Sequence, residues 1–226
     1  MTTEKNEIGG VQSIVTETKN IILVEDSANS LVPLIKGPEY AFDTAYIKAL
    51  IPNIEYQART SKEYKAYVRY LKEDLDPKLD HCMVYSGMND DAVPIEMHHG
   101  PIFTLFDYVE IILKYHFDKG IGFTSADISH LVMEEHRKNH VQVLMLSKGA
   151  HLAVHPKKKG IKAKFVDYRS AHGNIVEFLN TYHEGLMIKH ISKMRNYFDE
   201  YEANTNEKDS FFDISITKWN NEIYST

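Results

Sequence analysis

An α+β fold is predicted by three features of the chain. Short segments of β-type apolar residues read as strands at 20–24, 82–86, 93–97 and 141–146. Longer segments carry apolar residues at helical spacing, at 61–75, 104–117, 125–137 and 174–201. With 226 residues, 43% of them hydrophobic, the chain can also bury a sizeable core.

Taken in order, residues 1–18 are polar and read as a flexible arm. A unit of strand and helices follows over 19–80. The strand at 20–24 is broken by the Pro and Gly residues between 33 and 38, and a short helix over 42–50 is ended by Pro52. In the helix over 61–75, Tyr64, Tyr67, Val68 and Leu71 share a face, and Arg59, Lys62, Lys65 and Arg69 read as an ordinary solvated face ahead of the other reading, a flank for bound DNA. Strands 82–86 and 93–97 form a hairpin through Gly87–Asp91. Two helices, 104–117 and 125–137, are separated by Asp118-Lys119-Gly120-Ile121-Gly122, the second capped by Thr124 or Ser125. The strand at 141–146 leads into a short helix with Ser147 as N-cap and Pro156 as its stop. A long amphipathic helix over 174–201 then precedes an acidic spacer. The closing segment 211–219 alternates apolar and polar residues and reads as a strand able to join this sheet, a second copy or a protein partner.

Two histidine pairs concentrate the chemistry. His98-His99 closes one strand, and His151 and His155 stand four apart, on one face of the predicted helix. Alternation along a strand sends His98 and His99 to opposite sides, with Glu96 on the His98 side. Three imidazoles leave an open position on a tetrahedral ion, and imidazole suits zinc, nickel or copper better than magnesium. A free imidazole titrating near ~6.5 can act as a base near neutral pH. Each pair alone has a plainer explanation, as a polar turn or a chance spacing.

Together, the Glu96-Met97-His98-His99-Gly100-Pro101 run and the Leu146-Ser147-Lys148-Gly149-Ala150-His151 approach to His155 resemble the HNH, or ββα-metal, nuclease family. The resemblance spans roughly residues 81–158, and a further His four residues on, as His155 is here, is a feature of the branch typified by bacterial DNase toxins. It implies an HNH-like ββα-metal core over 81–165, interrupted by a helical insertion at about 102–138, with further helices flanking it. It also implies that His98, His151 and His155 hold a divalent metal, with zinc first and nickel, manganese or magnesium as alternatives. His99 would be the general base, and Gln142 would stand where the family has an orienting Asn, nine residues before His151. Asn139 is the other amide, three residues early, and His140 is a reserve ligand. Glu134 and Glu135 could supply a carboxylate.

Composition sets outer limits. A net charge of −6 argues against indiscriminate nucleic-acid binding. Local charge differs: Lys148, Lys157, Lys158 and Lys159, followed by Lys162 and Lys164, form a basic strip beside the second pair that could seat a phosphate backbone. The single Cys82 excludes an internal disulfide framework and a four-cysteine knuckle, and reads as a buried strand residue. No apolar run approaches the ~20 residues needed to span a bilayer, and the polar N-terminus is unlike a signal peptide, so an intracellular, cytoplasmic protein is expected.

The leading expectation is therefore a metal-dependent DNA endonuclease of phage or mobile-element type, in the host cytoplasm if phage-encoded. A second is a catalytically inactive protein that keeps the ββα fold as a metal-stabilised structural or DNA-binding module. A third is a metal-dependent hydrolase of another substrate.

Overall fold

The computed structural model describes residues 5–8, 11–14, 21–25, 31–35, 42, 45–155 and 163–225. The fold is α+β and mostly helical, with a small two-stranded antiparallel sheet among the helices. No helix among the described residues is long and apolar enough to cross a membrane.

Two hairpins come first. Strand β1 (Lys5–Ile8) pairs with β2 (Val11–Ile14), and β3 (Ile21–Glu25) pairs with β4 (Leu31–Ile35). Strand β3 meets the expectation at 20–24. The arm predicted over 1–18 and the break predicted around Pro33 are replaced by paired strands where residues are described. Pro33, opposite Leu23, is tolerated because a two-stranded ribbon leaves one edge of each strand unpaired.

Helix α1 (Ala45–Thr60) continues through Pro52 instead of ending before it. Ile47, Leu50, Ile51, Ile54 and Ala58 form one continuous buried stripe. At roughly 1.5–3 kcal/mol per large buried side chain, that stripe outweighs the ~3 kcal/mol cost of an interior proline. Helix α2 (Lys62–Arg69) starts at Ser61, whose Oγ accepts the Tyr64 N–H at 3.0 Å. It widens into a π turn over Tyr70–Asp74, short of a full helix to 75.

Strand β5 (Ile95–His99) pairs with β6 (Val143–Ser147), Ile95 opposite Ser147 and His99 opposite Val143. The predicted hairpin of 82–86 with 93–97 does not form. Cys82 and Met83 lie instead against the other edge of β6, where the Met83 N–H donates to the Met145 carbonyl at 2.8 Å and the Ser147 hydroxyl donates to the Cys82 Sγ. All five β6 residues are buried, so β6 must be covered on both faces, and it offers β5 the continuous apolar partner that Tyr85-Ser86-Gly87 cannot. Cys82 is buried as expected, but outside any strand.

Between the two strands lie α3 (Leu105–Asp118) and α4 (Ser125–Arg137), close to their predicted spans. Each starts with a capping box, Thr104 with Asp107 and Thr124 with Asp127. Helix α5 (Lys148–Val154) follows β6 directly, capped by Ser147, whose Oγ accepts the Ala150 N–H at 3.4 Å. The chain order in this region is thus strand, two inserted helices, strand, short helix.

The predicted helix over 174–201 is two helices, α6 (Ile175–Tyr182) and α7 (Ile188–Thr205), joined by a 3-10 turn. Gly185 explains the break: a Cβ there would stand 2.2 Å from the Ile111 carbonyl oxygen, so this turn sits directly on the α3 backbone. The closing segment is helix α8 (Ser210–Ser225), not a strand. Phe212, Ile216 and Trp219 are buried at helical spacing while Ile214 is 70% exposed, so the 3.6-residue period overrides the apparent alternation.

Candidate functional site

The alternation of β5 separates the two adjacent histidines. Ile95, Met97 and His99 turn into the core, at 3%, 9% and 2% exposure, while Glu96 and His98 face outward towards α5. On that outer side, His98 meets both histidines of α5. The His98 Nε2 is 2.9 Å from the His155 Nε2, and the ring centroids of His151 and His155 each lie 4.7 Å from that of His98. The His151 Nδ1 faces the Glu96 Oε2 at 3.7 Å. The sheet and the Ser147 cap therefore bring together the three predicted ligands from segments more than fifty residues apart.

Burial, and then the neighbouring imidazoles, lower the His98 pKa to about 4, and burial lowers that of His155 as well. Both rings are neutral at physiological pH, so each keeps a lone pair on one nitrogen. Among the described residues no group of three or more His, Cys, Asp or Glu side chains already meets the geometry for holding a metal ion. His98 and His155 are instead in nitrogen-to-nitrogen hydrogen-bond contact.

His99 lies on the opposite side of the strand. Its Nε2 is 2.9 Å from the Nε2 of His136 on α4, and the His136 Nδ1 is 2.7 Å from the Val132 carbonyl oxygen. The carbonyl can only accept, so the His136 proton is on Nδ1, its Nε2 accepts, and His99 donates from Nε2. The His99 Nδ1 is then a bare acceptor, buried and without a partner. Tyr64 stacks on the ring at 6.2 Å, and Tyr67 meets His136 edge-on at 5.2 Å. Burial drives the His99 pKa well below its ordinary value.

Gln142 is also buried. Its backbone N–H donates to the Tyr108 hydroxyl at 3.0 Å and its side-chain amide donates to the Tyr168 carbonyl at 2.9 Å, tying β6 to the segment before α6. Its Oε1 has no partner, and no hydrogen bond joins it to His99. The two reserve residues have local roles. Asn139 adopts a left-handed conformation (φ 61°) just past α4, and the His140 Nδ1 pairs with the Glu135 Oε2 at 2.7 Å. Glu135 is itself buried and also receives Lys138 and the Tyr182 hydroxyl, so both of its oxygens are engaged there.

Of the predicted basic strip, Lys157, Lys158, Lys159 and Lys162 lie outside the described residues. Lys148 is exposed at the start of α5. The Lys164 Nζ donates to the Val84 carbonyl at 3.1 Å and lies 4.5 Å from the Tyr85 ring centroid.

Residues 3–223 match the model of the bacteriophage G278-like virion protein family. The chain belongs to that family. No curated protein and no solved structure matches it significantly. In this G278-like virion protein, two site residues were not singled out from sequence. His136 stands four residues after Val132 on the buried stripe of α4, a spacing that marks it as an interior residue. Glu96 was noted only as sharing a face with His98.

Proposed function

We propose that this chain is a structural component of a phage particle, in which the β5–β6–α5 unit is a ββα element pinned by a divalent metal ion and has no hydrolytic role. The observation that carries the reading is the burial of His99. A general base must reach a water molecule beside the ion, whereas His99 is 2% exposed and engaged with His136. Membership of a virion protein family supports the same reading, and implies neighbouring particle proteins as partners.

The residues fit a metal in their chemistry: three imidazoles face one another, and His98 and His155 are held neutral. His98, His151 and His155 would hold the ion after small side-chain rotations, with zinc first among the candidates. The ion would supply binding free energy that fastens α5 to β5. At a free-ion concentration of a hundred times Kd this stabilises the fold by ~2.7 kcal/mol, or roughly 5–10 °C in Tm for a chain of this size. Thermal unfolding of the purified chain with zinc and with chelator tests this. A fall of that size on chelation supports the reading, and an unchanged Tm opposes it.

One observation favours a second reading, metal-dependent cleavage of DNA. The His151 side chain is 42% exposed and His155 is exposed, so a phosphodiester could approach the cluster from solvent. Lys148 would then contact the backbone. Nicking of supercoiled plasmid in the presence of divalent metal tests it.

A further inference from the structure

We infer that Glu96 is the fourth ligand of the histidine site, closing it into a shell of three imidazoles and one carboxylate with no position left for water or phosphate. The inference rests on the metal-binding reading above and deepens it. Glu96 and His98 are two residues apart on β5, so both project from the same face of the sheet towards α5. The Glu96 Oε2 lies 3.7 Å from the His151 Nδ1. That is too long for a hydrogen bond, but near the spacing of two donors that share one tetrahedral ion. Bonds of ~2.0–2.1 Å at tetrahedral angles set neighbouring donor atoms about 3.3 Å apart. The Nε2 atoms of His98 and His155, at 2.9 Å, fall just below that spacing. Two edges of the tetrahedron, Glu96 with His151 and His98 with His155, thus bracket the expected length. The 4.7 Å ring contact between His98 and His151 joins them. Side-chain rotations that keep these two edges would be needed to turn all four donors towards one ion.

The charge balance agrees. One carboxylate against a divalent ion leaves a single net positive charge at an exposed site, which surrounding solvent accommodates. The Glu96 side chain is 57% exposed, so replacing it removes a donor without opening the core.

The alternative role for this carboxylate is to accept a proton from the His151 Nδ1 and orient the ring from behind, which would leave the fourth position open. Cobalt(II) distinguishes the two, because its visible absorption reports coordination number and changes when an added anion binds the ion. The test uses the full chain loaded with Co²⁺, titrated with inorganic phosphate, alongside Glu96→Gln. A tetrahedral spectrum indifferent to phosphate is expected for the wild type. Glu96→Gln should bind Co²⁺ at least roughly a hundredfold more weakly, beyond the usual effect of an orienting group, and its spectrum should shift with phosphate. A wild-type spectrum that shifts with phosphate, or equal Co²⁺ affinity in the two proteins, overturns the role of Glu96 while leaving the three-histidine site standing. Failure of the wild type to bind Co²⁺ or Zn²⁺ overturns the metal reading itself, and this inference with it.

Discussion

His99 and His136 meet nitrogen to nitrogen at 2.9 Å inside the core, one from β5 and the other from α4. This pair welds the sheet to the inserted helices and withdraws His99 from the surface that its neighbour His98 occupies. One peptide bond separates a histidine of the exposed cluster from a histidine of the interior.

Removing one member of that pair should cost stability. His99→Ala deletes a buried ring and leaves the His136 Nε2 as an orphan acceptor, a combined loss of roughly 2–4 kcal/mol. Urea unfolding of the two proteins measures it. A difference below about 0.5 kcal/mol would mean that the ring is not packed as described.

The same pair makes the fold sensitive to acid. Burial holds the His136 pKa at about 4, with Arg59 from α1 lowering it further and Glu135 and the Val132 carbonyl opposing. His99 from β5, and Tyr64 and Tyr67 from α2, complete its surroundings. In the unfolded chain the value returns to near ~6.5. Between the two values the unfolded state binds a proton that the folded state refuses. The contribution is therefore fully present above the unfolded value and is lost as pH falls towards the folded one. A shift of this size corresponds to a loss on the order of 3 kcal/mol across the whole window. Unfolding measured at pH 7.5 and at pH 5, with chelator in both, should show a larger loss in the wild type than in His136→Gln; equal losses would contradict the assignment.

The end of the chain offers a test by contrast. Residues 212 and 214 would share a face of a strand, but α8 buries Phe212 and exposes Ile214. Phe212→Ala should destabilise by roughly 3–5 kcal/mol, and Ile214→Ala by no more than about 0.5 kcal/mol. Similar effects at both positions would favour the strand.

Gly185 is a point of close approach with no room for a side chain. Gly185→Ala would drive a methyl group against the Ile111 carbonyl and the Tyr115 backbone, both 3.0 Å or closer, and should cost more than about 2 kcal/mol. A fully stable variant, by thermal unfolding, would mean that the turn does not rest on α3.

How far the sequence could be read depended on whether its cues were local. The caps at Thr124, one of two candidates, and at Ser147 are signals of a few residues, and both helices start directly after them. Strand alternation separated His98 from His99, and the four-residue spacing put His151 and His155 beside His98. Partner choice was not local. That β5 pairs with β6 across two helices, not with 82–86 across a short turn, depends on β6 needing cover on both faces. The interior partner of His99 comes from a helix 37 residues away, and only the packed structure reveals it. Pro52 was overruled by a buried stripe that runs past it, and the break at Gly185 is imposed by contact with a distant helix.

The central claim, a metal-pinned structural element without a catalytic base, is tested most directly on supercoiled plasmid. The purified chain and His99→Ala would be incubated with it in the presence of Zn²⁺, Ni²⁺, Mn²⁺ or Mg²⁺, with a chelator control. The account predicts intact plasmid throughout. Metal-dependent nicking by the wild type that disappears in a folded His99→Ala would contradict it and make the chain a nuclease.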